Sequence, residues 1–123
     1  MNESDLKHFT DAFIEAFYIA DTGEDGQPDR DADLSEECRL DIEADCRSFW
    51  RRFRCYITGE VCRNAFDDSI AQAGHDFYMT RQGHGVGFRD DEWPACYRDL
   101  LTKSAEKYGE LCLYQGDDGL IYC

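Results

Sequence analysis

No run of apolar residues in this chain approaches the ~20 that a membrane-spanning helix needs. The opening MNESDLKHF also lacks the cationic-then-apolar order of a secretion signal, so a cytoplasmic location is expected. Basic residues are scarce, with 13 Lys+Arg against 27 Asp+Glu and a formal net charge of −14. A body this acidic repels phosphate, which argues against direct binding to nucleic acid or to an anionic membrane. Close cysteine pairs are missing too: the seven cysteines never come nearer than seven residues apart, whereas structural zinc sites bring ligands in CxxC-like pairs. In a reducing cytoplasm these thiols stay reduced, and an odd number cannot all pair within one chain. The fold is therefore expected to need neither metal nor disulfide.

Cofactor and catalytic signatures are also absent. Gly83, Gly85 and Gly87 are not followed by a helix opening, so they form no dinucleotide phosphate cradle, and no cofactor is expected. The acidic stretch at 21–33, DTGEDGQPDRDAD, fails as an EF-hand. Counting from Asp29 puts Leu34 where the loop needs Gly and Leu40 where it needs Glu; counting from Asp21 puts Ala32 at that last position. His8, His75 and His84 are the candidate bases, but nothing local activates a cysteine beside them, and negative surroundings raise a thiol's pKa. The protein is not expected to be an enzyme.

What is present is a foldable core of eight Phe, seven Tyr and two Trp, enough for one domain over residues 1–123. Leu6, Phe9, Phe13, Phe17 and Ala20 recur at helical spacing, predicting a helix over 4–20 with Ser4 as its cap. A second helix is predicted over 34–57, capped by Asp33, with the seam Cys38, Ile42, Cys46, Phe49, Phe53 and Tyr56. Its outer face runs from Glu36 and Glu43 to Arg47, Arg51 and Arg54, an order that suits the helix dipole and pairs Glu43 with Arg47. A shorter helix is predicted over 60–71. The glycine-rich stretch that follows reads as a β-hairpin, with strands at 75–80 and 85–89. A helix starting around Asp91–Pro94 and a final hairpin around the GDDG turn complete the order α-α-α-β-β-α-β-β. This is an α+β fold, divided into an acid-rich helical part at 1–72 and a hairpin–helix–hairpin part at 73–123.

Charge is distributed unevenly. Residues 1–45 hold 15 acids and 3 bases, residues 46–64 hold 1 acid and 5 bases, and residues 65–123 hold 11 acids and 5 bases. Solubility is satisfied by a net charge of about 2–8 in a small domain. The excess destabilises the chain by self-repulsion and points to a function that uses the field. Its natural partner is a basic cleft of the kind that binds nucleic acid.

The strings AGHDFYMTRQGHGVGF (residues 73–88) and KYGELCLYQGDDGLIY (107–122) resemble a sequence type that recurs among short open reading frames of bacteriophages and prophages. The resemblance covers under a third of the chain and implies a phage or mobile-element origin, hence a bacterial host cytoplasm. In size and acidity the chain is similar to anti-CRISPR proteins. That likeness implies a DNA mimic occupying the basic DNA-binding or motif-recognition site of a CRISPR effector complex. An anti-restriction DNA mimic is the nearest alternative. A third is an interaction module using an aromatic hairpin surface of Phe77, Tyr78, Phe88 and Trp93. Under the mimic reading the partner-binding acids are Asp11, Glu15, Asp21, Glu24, Asp25, Asp29, Asp31, Asp33, Glu36 and Glu43.

Overall fold

The computed structural model describes residues 3–123. The chain runs through α1 (Glu3–Asp21), α2 (Glu36–Ile57), α3 (Ser69–Gln82), a 3₁₀ turn (Gly87–Arg89) and α4 (Ala95–Glu106), then β1 (Tyr114–Gln115) and β2 (Ile121–Tyr122). The fold is α+β, four helices followed by a small antiparallel sheet with Tyr114 opposite Tyr122 and Gln115 opposite Ile121.

Helices α1 and α2 follow their apolar stripes. Leu6, Phe9, Phe13 and Phe17 are buried along α1, and Cys38, Ile42, Cys46, Phe49 and Phe53 along α2. The caps differ from expectation. Ser4 lies inside α1, and α2 is capped by Ser35, whose hydroxyl accepts from the Cys38 amide at 3.1 Å. Asp33 is occupied otherwise, its carbonyl accepting from Ile121 at 2.8 Å.

Between 58 and 68 the chain is irregular where a helix is predicted. Asn64 explains this: its side chain donates to the Ile57 carbonyl at 3.0 Å and accepts from the Phe66 amide at 3.2 Å. Such side-chain bonds compete with helical ones. Asp68 then caps α3 by accepting from the Ala71 amide at 3.1 Å.

The predicted hairpin at 75–89 is not formed; its first strand is α3. The buried residues Ala73, Gly74, Asp76, Phe77, Tyr78 and Arg81 form one helical face. Gly83, at φ +68, closes that helix in the left-handed conformation instead of turning a hairpin. Gly74 lets α3 lie against α1, since a β-carbon there would stand 2.2 Å from the Phe9 carbonyl oxygen. Beyond Pro94, α4 buries Tyr97, Leu101, Ser104 and Ala105 as expected, while Leu100 stays exposed.

A single core draws on both halves of the chain. At its centre Phe49 stacks on Phe77 at 4.2 Å between centroids, with Phe9 and Phe88 stacked alongside. Arg81 enters this aromatic core with its side chain 2% exposed. It donates to Asp45 at 3.0 Å and to the carbonyls of Gly109 and Tyr108 at 2.8 and 3.2 Å. The rings of Phe13, Phe77 and Tyr108 lie 5.5–5.8 Å from its guanidinium carbon.

The expectation that every cysteine stays unpaired is corrected: Cys38 and Cys123 form a disulfide. The chain end is carried there by backbone bonds from Ser35 to Ile121 and from Ile121 to Asp33, both 2.8 Å. Among the described residues, no helix is long and apolar enough to cross a membrane.

Two stability effects follow. Arg81→Ala should cost about 3–5 kcal/mol in denaturant unfolding, because Asp45 and two carbonyls lose a buried cation together. Cys123→Ser should cost about 2–4 kcal/mol, since the cross-link closes a long loop of the unfolded chain. A melting temperature unmoved by Cys123→Ser would contradict the bridge.

Candidate partner-binding surface

The surface is built on the 22–35 segment that joins α1 to α2. Residues 21–37 hold eight acids and one base, half the net charge of the protein. Like charges at this density tend to extend a loop, yet the backbone here is folded on itself. Gly23 donates to Pro28 at 2.9 Å, Gln27 to Glu24 at 3.0 Å and Ala32 to Asp29 at 3.1 Å. Pro28 and Leu34 are buried beneath it. Tyr18 reaches up from α1 to the Ala32 carbonyl at 2.7 Å, and Gln115 of β1 accepts from the Asp29 amide at 3.0 Å. Leu34 pairs with Ile121 as an isolated parallel bridge.

On this frame Glu24, Asp25, Asp29, Asp31, Asp33 and Glu36 are all exposed, and among the described residues none of them is in an ion pair. Glu37, exposed in the first turn of α2, belongs with them. The sequence already signalled it through its position beside Glu36.

The other four expected acids lie outside this frame, Asp11 and Glu15 exposed on α1 as expected and Asp21 and Glu43 partly buried. Asp21 is turned inward at the end of α1, where it accepts from the Tyr78 hydroxyl and meets His84 Nε2 at 3.0 Å. Burial and this carboxylate together push the Tyr78 hydroxyl well above its ordinary pKa. Asp11 is paired with Lys7 at 2.7 Å. Glu43 is half-buried in a groove of about 270 Å³ between α1 and α2, and its expected pair with Arg47 is not formed. Glu15 borders a second hollow, of about 400 Å³, between α1 and the start of α3.

His75 borders the same hollow. Its Nδ1 meets Asp76 at 3.1 Å, and Asp76 is itself buried, accepting from Trp93 Nε1 at 2.7 Å and from Gln72 at 3.1 Å. The hydrogen bond to Asp76 raises the His75 pKa, with Glu15 adding to it. A carboxylate-oriented imidazole beside a cavity can act as a base, but the lining here carries no hydroxyl, thiol or amine to activate. His8 is matched to Asp68 at 2.8 Å, which holds that carboxyl below its ordinary range. The described residues contain no group of three His, Cys, Asp or Glu arranged to hold a metal.

The aromatic alternative is overturned. Phe77, Tyr78, Phe88 and Trp93 are fully buried in the core and offer no surface. Compared with known protein families, curated proteins and solved structures, the chain matches none.

His75 leads to a pH effect. A histidine whose folded pKa is raised contributes stability that is complete below its unfolded value of about 6.5. That contribution is lost as pH rises through the folded value. Relative to His75→Gln, the wild-type protein should therefore lose stability between about pH 6 and pH 8. Parallel urea titrations check this; a constant difference between the two proteins would exclude it.

Proposed function

We propose that this protein acts by binding rather than by catalysis, as a DNA mimic that occupies a basic nucleic-acid-binding surface of a bacterial defence protein. The observation that carries the reading is the set of six exposed carboxylates between Glu24 and Glu36, without an ion pair among the described residues and displayed on a hydrogen-bonded loop. A disordered acidic tail would lose conformational entropy on docking; a loop already held by its own backbone bonds loses less. Carboxylates fixed at the surface take the positions that phosphates would take in a basic groove, and field complementarity speeds the encounter.

The partner class follows from the same chemistry. Basic channels for nucleic acid occur in CRISPR effector complexes and in restriction enzymes. The likeness of residues 73–88 and 107–122 to phage open reading frames, with the size and acidity of anti-CRISPR proteins, favours the effector complex. The interaction surface lies on the 24–37 segment, outside both of those strings.

Each exposed ion pair contributes about 0–1 kcal/mol, and more where the interface excludes water. Single Asp→Asn changes should therefore be mild. The combined variant D25N/D29N/D31N/D33N should weaken capture of the partner by roughly 50-fold while leaving the circular dichroism spectrum unchanged. Asp117→Asn, in the hairpin turn, serves as the control. The assay is capture from a bacterium carrying CRISPR and restriction systems, followed by challenge of the complex with duplex DNA. Displacement by DNA supports mimicry. A complex left intact by saturating DNA excludes it.

A further inference from the structure

The hairpin that anchors the acidic loop carries a pair of tyrosines on its other face. Strand β2 runs between β1 and residues 33–35: Tyr122 stands opposite Tyr114, and Ile121 pairs with Leu34. Successive side chains of an extended strand point to opposite faces. Leu34, Gln115 and Ile121 therefore share the inner face, where Leu34 and Ile121 are buried and Gln115 holds the Asp29 amide. Asp33, Tyr114 and Tyr122 share the outer one. There the two tyrosine rings stack, with 5.9 Å between centroids and 24° between planes. Tyr122 is the fixed member. Its hydroxyl donates to Asp118, and its ring lies on Gly116, where a β-carbon would stand 2.7 Å from Cε1. Tyr114 rests on that ring and is 56% exposed, so cross-strand packing leaves more than half of it unused. Residues 108–123 contain no Lys or Arg, and Arg30 is the one base of residues 21–37. A cation brought to this face meets no repulsion from either segment except at Arg30.

We propose that the Tyr114–Tyr122 stack is an arginine-binding platform, the part of the acidic surface that takes a guanidinium from the partner's basic groove; this rests on the reading of the loop as a mimic of nucleic acid. Arginine is planar and weakly hydrated, so it stacks on an aromatic face while its edge donates to carboxylates. Lysine, a compact and strongly hydrated charge, gains less from a ring. Asp33 supplies a carboxylate on the same face, one strand away from Tyr122, and neighbouring strands lie about 4.8 Å apart. The loop acids attract any cation, and the rings add a preference for arginine. Because Tyr122 is held through both its hydroxyl and its ring, the stack is formed before the partner arrives, and little rotamer freedom is lost on docking.

The test titrates the full chain with two peptides of equal formal charge, nona-arginine and nona-lysine, by isothermal calorimetry. The wild-type protein should bind nona-arginine about fivefold more tightly. Tyr114→Thr, which keeps a strand-favouring residue, should lose most of that preference, and Tyr114→Phe, which keeps the ring, should retain it. Amide exchange at Gly116 and Ile121 checks that the strands stay paired in both variants. A preference that survives Tyr114→Thr in full would overturn the proposal, since carboxylates alone would then account for it. Equal binding of the two peptides by the wild-type chain would overturn it as well. A second reading needs no variant: the ring-proton resonances of Tyr114 should shift with nona-arginine and stay nearly still with nona-lysine, and rings unmoved by nona-arginine would contradict the platform. The D25N/D29N/D31N/D33N variant reads the acidic surface separately. Weaker binding of both peptides upholds that surface even where the tyrosine arms fail; undiminished binding would overturn it, and the platform with it.

Discussion

A buried guanidinium organises this protein. Removing a cation from water costs several kcal/mol unless partners replace its hydration. Arg81 meets that cost through Asp45 on α2, two carbonyls just beyond α4, and three aromatic rings drawn from α1, α3 and the segment after α4. These groups are satisfied together only when α3 sits in one register against its neighbours. That register places Gly74 against the α1 backbone and brings Tyr78 and His84 to Asp21. Asp21 is the residue at which α1 ends and the acidic loop begins.

The other end of the loop is held by a second device. Strand β2 returns beside the start of α2, bonds Asp33 and Ser35 through Ile121, and is locked by the Cys38–Cys123 bridge. Between these anchorages the loop carries its carboxylates outward on a backbone that bonds to itself. Self-repulsion among them favours extension, and the two anchors oppose it. The acidity is thus placed on a segment held at both ends, which is what the proposed mimicry of a phosphate array requires.

Much of this was legible from local pattern. Helices α1 and α2 bury simple apolar stripes, and periodicity alone identifies them. The exposure of Glu24, Asp25, Asp29, Asp31, Asp33 and Glu36 follows from turn-forming residues and like charge. Helix α3 was not legible, because its inward face includes Gly74, Asp76 and Arg81, residues that read as turn or surface. Their partners are distant in sequence: Trp93 for Asp76; Asp45, Tyr108 and Gly109 for Arg81. Asp21 was misplaced for the same reason, since Tyr78 and His84 lie 57 and 63 residues away. The disulfide spans 85 positions, and no spacing rule reaches that far.

The claim that the carboxylates are held in fixed positions is tested most directly by amide hydrogen exchange on the free protein. The amides of Gly23, Gln27 and Ala32 report the loop's own bonds, and those of Ser35 and Ile121 report its anchorage to β2. Protection of all five, with Ser35 and Ile121 exchanging on the slow scale of the core helices, is the expected result. Exchange of Gly23, Gln27 and Ala32 at unfolded-chain rates would mean that the acids are carried on a loose tether, and the account of a preformed acidic surface would fail.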